Sequence, residues 1–344
     1  MSQSRQGMVI TRFGGTDVLR LENLAPETPG PGRIRIRVRA AGVNFADVMM
    51  RMGMYPEAPK PPFVPGYEVS GEVAELGPGV TGLAEGDRVL AGCRFGGYAT
   101  EINVPADSAR KLPSSLSFEQ GASIPVNFIT AWIALHEMGR VRSGDRVAIQ
   151  SAAGGVGVAA VQIATGAGAQ VTGLVGSLGK AEKVRELGAR DVLTNGDWDQ
   201  GEDSQLGGYD LILDSQGGEH LKRSYRRLAA AGRVVTFGVS DMVGSRKSLV
   251  KAASFILKNP LFPPLKLMMD NRGVFGLNLL QIFNATDPAT LRLSARVLDG
   301  VMAGFEEGRF RPVVGKSFPL EKAGEAHDYL LSRANIGKVV LTVG

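Results

Sequence analysis

QSAAGGVG, residues Gln150 to Gly157, follows the apolar run Arg146 to Ile149 and leads into a helix-like run from Val156 to Gly166. A strand, a small-residue turn and a helix in that order predict a site for the pyrophosphate of a dinucleotide. Small residues let backbone N–H groups approach the phosphates, and a helix N-terminus favours negative charge. Gly154 and Gly157 occupy the second and third glycine positions of the G-x-G-x-x-G pattern, with Gly155 and Val156 between them, and Ala152 replaces the first. With 46 glycines in the chain, a plain loop is the competing reading, and the strand before the turn and the helix after it favour the nucleotide site.

Working outward, the residues before about Asn127 form short alternating segments such as Arg33 to Val38 (RIRIRV), Glu68 to Leu76 and Arg88 to Ala91, divided by Gly and Pro turns. They predict an antiparallel β unit, a partly closed barrel. Beyond Asn127, strands and helices alternate: Val147 to Gln150, Val156 to Gly166, Val171 to Val175, Lys180 to Leu187, Leu211 to Asp214, Glu219 to Leu228 and Val234 to Phe237. That rhythm predicts a doubly wound parallel sheet. Ser240 to Asn278 resembles neither half. Its stretch Phe255 to Met269 is broken by Pro260, Pro263 and Pro264, so a lid, a pocket wall or a dimer contact is expected there. Helices at Asp287 to Phe305 and Lys322 to Ser332 precede a strand, Lys338 to Val343, suited to rejoin the first unit.

Composition narrows the function classes. A chain of 344 residues with 44% hydrophobic and 21% charged residues is of ordinary globular type. The net charge of +5 is spread along the chain, so no nucleic-acid partner is indicated. The single cysteine, Cys93, has no partner for an internal disulfide, and no run of 18 apolar residues occurs. A cytoplasmic protein is expected.

The end of the second nucleotide-domain strand indicates which cofactor. An acid there binds the ribose 2′-hydroxyl of NAD, whereas Val175 is followed by Gly176, Ser177 and, one turn on, Lys180. A hydroxyl and an ammonium suit a 2′-phosphate, so NADPH is expected. Alternatively, Lys180 is a solvated residue in the first turn of a helix.

AGVNFADVMMRMGMYP (Ala41 to Pro56), VPGYEVSGEV (Val64 to Val73), GDRV (Gly86 to Val89), GGYAT (Gly96 to Thr100), TAW (Thr130 to Trp132) and NIGKVVL (Asn335 to Leu341) together resemble the medium-chain dehydrogenase/reductase superfamily over nearly the whole chain. Within it the chain resembles the zinc-free quinone oxidoreductase branch, and NRGVFGLNL (Asn271 to Leu279) is similar to the vesicle amine transport protein homologues. The resemblance implies an α/β fold: a GroES-like, partly open β-barrel domain plus a doubly wound (Rossmann) nucleotide-binding domain. The expected limits are 1–126 for the first part of the catalytic domain, 127–262 for the NADPH domain and 263–344 for the return. It also implies a homodimer, nicotinamide contacts at Thr130, Phe237 and Gly238, and a C-terminal cofactor contact at Asn335 and Lys338. Asn195 departs from the tyrosine that quinone reductases often carry near the adenosine phosphate. In the zinc alcohol dehydrogenases a cysteine stands at the position of Asn44 and a histidine at that of Tyr67, and neither replacement is a credible zinc ligand.

Without a metal, hydride transfer from NADPH suits a substrate already electron-poor, a quinone or an α,β-unsaturated carbonyl. Asn44 is the first choice for a donor to the substrate oxygen and Tyr55 the second, while Asp47 orients Asn44 or a backbone group. Asn44 also suits a plain turn, and Tyr55 a loop edge with its hydroxyl in water. The competing function is a nucleotide-binding protein of the same fold and low activity. It would act through lipid or protein contacts made by Phe255 to Met269, with Arg246, Lys247, Lys251, Lys258 and Lys266 nearby. Burial of those apolar residues against protein is the favoured alternative to peripheral membrane contact.

Overall fold

The structure is a computed structural model that describes residues 5–201, 208–240, 260–283 and 285–344. The chain opens with an antiparallel ribbon, β1 (Gln6–Ile10) and β2 (Leu19–Asn23). In β3 (Arg33–Val43) the alternation seen in the sequence becomes a face: Ile34, Ile36 and Val38 are buried, while Arg33 and Arg37 are exposed. A short helix, α1 (Phe45–Arg51), is followed by β4 (Glu68–Leu76), β5 (Arg88–Gly92), β6 (Glu101–Pro105) and β7 (Ala109–Lys111). These strands pair antiparallel, β3 with β4 and β6, and β5 with β4 and β7. Helices α2 (Phe118–Gly121) and α3 (Pro125–Trp132) come next.

The alternating stretch forms β8 (Arg146–Ile149), α4 (Gly155–Gly166), β9 (Gln170–Val175), α5 (Ala181–Glu186), β10 (Asp191–Thr194), α6 (Asn195–Gln200), β11 (Tyr209–Asp214), α7 (Gly218–Arg226) and β12 (Leu228–Thr236). A further helix, α8 (Pro264–Asp270), precedes β13 (Gly273–Gly276), which joins the sheet parallel to β12. The order β10-β9-β8-β11-β12-β13 is all parallel and reverses direction at β8. That is the dinucleotide-binding arrangement, with ligands received at the carboxyl ends of the strands beside the reversal.

The chain then forms α9 (Leu279–Phe283), α10 (Pro288–Glu306), β14 (Val314–Pro319), α11 (Ala323–Leu331) and β15 (Lys338–Thr342). α10 starts cleanly because Asp287 accepts the Thr290 N–H and Pro288 takes the first helical position. β15 pairs antiparallel with β3, Val339 opposite Val43, and so returns to the first sheet.

Contacts divide the chain into Met1–Ile129 with Leu280–Gly344, and Thr130–Leu279. The first unit packs Ile34, Ile36, Val69, Val89, Tyr98 and Leu341 among its core residues. The second packs Ala148, Leu174, Ile212, Leu221, Tyr225 and Val234. Where the sequence suggests a return to the first unit at 263, the second extends to Leu279, because β13 hydrogen-bonds to β12. GVFG is too short to show a strand period, so the sequence does not announce this edge.

Of the apolar segment Phe255 to Met269, residues up to 259 lie outside the described residues, as do Arg246, Lys247, Lys251 and Lys258. The remainder is split. Leu261, Leu265, Met268 and Met269 are exposed, whereas Phe262 and Leu267 pack on the core of the second unit and Lys266 pairs with Asp270. Among the described residues no helix is long and apolar enough to cross a membrane.

Candidate active site

In the second unit, the turn after β8 is shaped by one close approach. A Cβ on Gly157 would lie 2.1 Å from the Ser151 carbonyl oxygen and 2.7 Å from backbone atoms of Ala152. Only glycine fits there, which is what the third position of the fingerprint requires. Gly154 is the N-cap of α4 and offers no side-chain cap, so the N–H groups of Gly155, Val156 and Gly157 begin the helix without one. Ser151 adopts φ 50° and its hydroxyl is bonded to that of Ser215 at 2.9 Å, which ties the turn to the loop after β11. The geometry suits a pyrophosphate.

Ser177 and Lys180 follow the end of β9, the former exposed and the latter half-buried. Burial lowers the Lys180 pKa from its ordinary value. No carboxylate stands between Val175 and Lys180. Asn195 opens α6, Phe237 and Gly238 follow β12, and Thr130 is buried in α3. The Phe237 N–H donates to the Asp214 carbonyl at 2.9 Å. The residues after β8, β9, β10 and β12 all leave the carboxyl edge of one parallel sheet, so the fold brings them to the same side.

The first unit holds a buried polar cluster. Lys338, on β15, places its Nζ 2.5 Å from Glu68 Oε1, 2.6 Å from Asn44 Oδ1 and 3.4 Å from Asn127 Oδ1. Those three acceptors use all three ammonium donors. The second Glu68 oxygen accepts the Val126 N–H at 2.7 Å. Asn44 is fully engaged as well, its Nδ2 donating to Glu68 at 3.0 Å and toward the Gly42 carbonyl at 3.5 Å. It therefore joins Lys338 to Glu68, and both amide donors face protein acceptors rather than an incoming carbonyl. Gly42 makes room for this: a Cβ there would lie 2.4 Å from Glu68 Oε1. Asn335 is buried and donates to the Gly337 carbonyl at 2.9 Å, which shapes the turn into β15.

Asp47 has no solvent exposure. Its Oδ2 accepts the Asn44 N–H at 2.8 Å, closing the first turn of α1, and its Oδ1 accepts the Gly66 N–H at 3.2 Å. Burial pushes its pKa up to about 7, against the pull of the Asn44 N–H, Tyr98 and Lys338. Tyr55 is half-buried in an apolar cluster with Met50, Tyr67, Phe95 and Leu280. The Tyr67 hydroxyl lies 3.4 Å from Met50 Sδ and pairs with that of Tyr55. Burial, helped by the charges of Glu57 and Asp47, raises the Tyr55 pKa, and Tyr67 is raised further. Both phenols therefore stay protonated at neutral pH and act as donors. Sequence reasoning used Tyr67 only as a missing metal ligand and did not single out Glu68 or Asn127. No local signal marks Glu68, since its strand EVSGEVAEL carries two further glutamates, and only its full burial sets it apart.

Two family descriptions match the chain: an alcohol dehydrogenase GroES-like domain over residues 30–114, and a zinc-binding dehydrogenase over residues 187–341. The synaptic vesicle membrane protein VAT-1 homolog of Rattus norvegicus is 34% identical over 98% of this chain and 84% of its own length. The chain belongs to the medium-chain dehydrogenase/reductase superfamily. As a member of it, the chain is also similar to two solved proteins. A mycobacterial protein complexed with NADPH is 30% identical with a TM-score of 0.85, over 98% of this chain and 99% of the other. The quinone oxidoreductase from Thermus thermophilus, solved also with NADPH, is 33% identical with a TM-score of 0.81, over the same shares.

The zinc implied by one family description does not fit this superfamily member's residues. Tyr67 keeps its proton, the Cys93 thiol is pushed well up by burial, and the Lys338 ammonium beside Asn44 and Glu68 already supplies a positive charge. Among the described residues no group of three or more His, Cys, Asp or Glu could hold a metal ion.

Proposed function

We propose that this protein is an NADPH-dependent reductase of quinones or α,β-unsaturated carbonyl compounds. The observation that carries the reading is the turn after β8, where only glycine fits at Gly157 against the Ser151 carbonyl oxygen, in a chain similar to an NADPH-complexed protein and a quinone oxidoreductase. NADPH, when bound, supplies the hydride; the Gly154–Gly157 turn is suited to its pyrophosphate and Ser177 with Lys180 to its 2′-phosphate. The chain's residues then have to polarise the acceptor and manage a proton. Tyr55 directs its proton to the substrate oxygen, where negative charge develops. Asn44, Glu68 and Lys338 tie the start of α1, β4 and β15 together by buried bonds. Thr130, Phe237, Gly238 and Asn195 are proposed as cofactor contacts and a homodimer as the assembly. The alternative of a low-activity protein acting through lipid contact rests on the exposed Leu261, Leu265, Met268 and Met269, and it leaves the protonated tyrosine pair without a role.

NADPH consumption followed by absorbance with a panel of quinones and enones tests the activity, and no turnover with any acceptor refutes it. Tyr55→Phe is expected to lower kcat about 100-fold, at the low end for a lost general acid, with NADPH affinity unchanged; an unaltered kcat removes Tyr55 from the chemistry. Lys180→Ala is expected to weaken NADPH about tenfold while leaving NADH unaffected, as for one charge-assisted contact of about 1.5 kcal/mol. Equal losses for both nucleotides would show that Lys180 does not read the 2′-phosphate.

A further inference from the structure

A second buried chain of hydrogen bonds runs behind Asp47, assembled from segments far apart in sequence. The Arg51 Nε donates to His327 Nδ1 at 3.3 Å, and Arg51 Nη1 donates to the Gly14 carbonyl at 2.8 Å. His327 Nε2 lies 3.2 Å from the Tyr98 hydroxyl, which lies 3.0 Å from Asp47 Oδ2. Arg51, Tyr98, Asp47 and His327 are all buried. A guanidinium has no acceptor to offer, so His327 Nδ1 is the unprotonated nitrogen and Nε2 carries the hydrogen. That hydrogen goes to the Tyr98 oxygen, and the Tyr98 proton is thereby directed onto Asp47. The direction of every bond follows from Arg51 at one end.

At the other end, a carboxylate is the form of Asp47 that satisfies its neighbours. It meets three donors, the Asn44 N–H, the Gly66 N–H and Tyr98. A proton on Oδ2, which already accepts two bonds, would break one of them, and a proton on Oδ1 would find no acceptor among these three donors. The Asn44 N–H starts α1, and Gly66 directly precedes Tyr67, so one carboxylate pins both turns.

We infer that Tyr98 and His327 are positioning residues that hold Asp47 as a carboxylate, and that this carboxylate fixes the two turns carrying Asn44 and Tyr67. The inference rests on the reduction site proposed above. The charged groups facing Asp47 are Lys338 from β15 and Glu68 from β4, with Tyr98 from the loop before β6. Asp17 and Asp328 face Arg51. Burial lowers the His327 pKa to about 3, so the ring stays neutral while Asp47 titrates.

Two measurements on the intact protein test this. Nitrogen-15 NMR of the labelled histidines, of which the chain has three, is expected to show His327 as the neutral Nε2–H tautomer from about pH 5 to about pH 8. An Nδ1–H tautomer, or titration in that range, overturns the relay without any reference to turnover. The pH profile of kcat is expected to rise with ionisation of Asp47. Tyr98→Phe removes a donor to the carboxylate, so the rising limb moves to higher pH by about 1 unit. His327→Gln, which can accept from Arg51 and donate to Tyr98, keeps the limb in place, whereas His327→Leu moves it as Tyr98→Phe does. A limb unmoved in Tyr98→Phe, or one moved equally by His327→Gln and His327→Leu, overturns the positioning role. Absence of NADPH consumption by the unmodified protein refutes the proposed reaction instead, and the tautomer then decides the relay by itself.

Discussion

Gly157→Ala is expected to weaken NADPH binding about 100-fold while the protein stays folded. The added Cβ would stand 2.1 Å from the Ser151 carbonyl oxygen, with backbone atoms of Ala152 at 2.7 Å. No rotamer relieves a contact made by Cβ against backbone, so the turn or the first turn of α4 must shift. Overpacking of this kind costs about 1–3 kcal/mol, and its effect falls on the N–H groups aimed at the phosphates, where about 2.7 kcal/mol corresponds to a factor of 100. Gly166→Ala is the control, since Gly166 lies in the same helix with open space at its Cβ position. That variant is expected to bind NADPH normally and to gain a little helix stability. Titration of nucleotide fluorescence on both variants checks the expectation. Equal affinity in Gly157→Ala and the unmodified protein would mean that the turn after β8 is not the phosphate site.

This prediction was accessible from sequence because everything it needs is local. The turn, its preceding strand and its following helix lie within Arg146 to Gly166, and the constraint on Gly157 comes from Ser151 and Ala152. The alternation of RIRIRV translated into β3 for the same reason, since a period of two survives in any short window. β13 did not show, because four residues on a sheet edge carry no period and only their bonds to β12 make them a strand. The polar groups of the first unit were hidden by distance along the chain. Arg51 and His327 are 276 positions apart, and Lys338 and Asn44 are 294 apart. From sequence, His327 is one of three scattered histidines, and the family resemblance assigns Lys338, with Asn335, to a cofactor contact rather than to Glu68. Folding β15 against β3 is what carries Lys338 to Asn44 and Glu68. Asn44 shows the opposite case: its position suggests a donor to the substrate oxygen, while its amide donors are spent on Glu68 and Gly42.

Lys338→Met is expected to destabilise the first unit by about 3–5 kcal/mol, the range for removing one partner of a buried ion pair. The Lys338 and Glu68 side chains are 3% and 0% exposed, so neither charge has water to fall back on. Without the ammonium, Glu68 keeps the Val126 N–H and one Asn44 N–H, which is too little for a buried carboxylate, and the Asn44 oxygen loses its donor. If the loss comes from an uncompensated charge, removing that charge should restore much of it. Glu68→Gln combined with Lys338→Met is therefore expected to be more stable than Lys338→Met alone, the two changes being strongly non-additive because the groups touch. Urea unfolding followed by circular dichroism measures both. A small effect of Lys338→Met would show that water reaches Glu68 freely. A double variant less stable than either single one would show that shape, rather than charge, is what Lys338 provides.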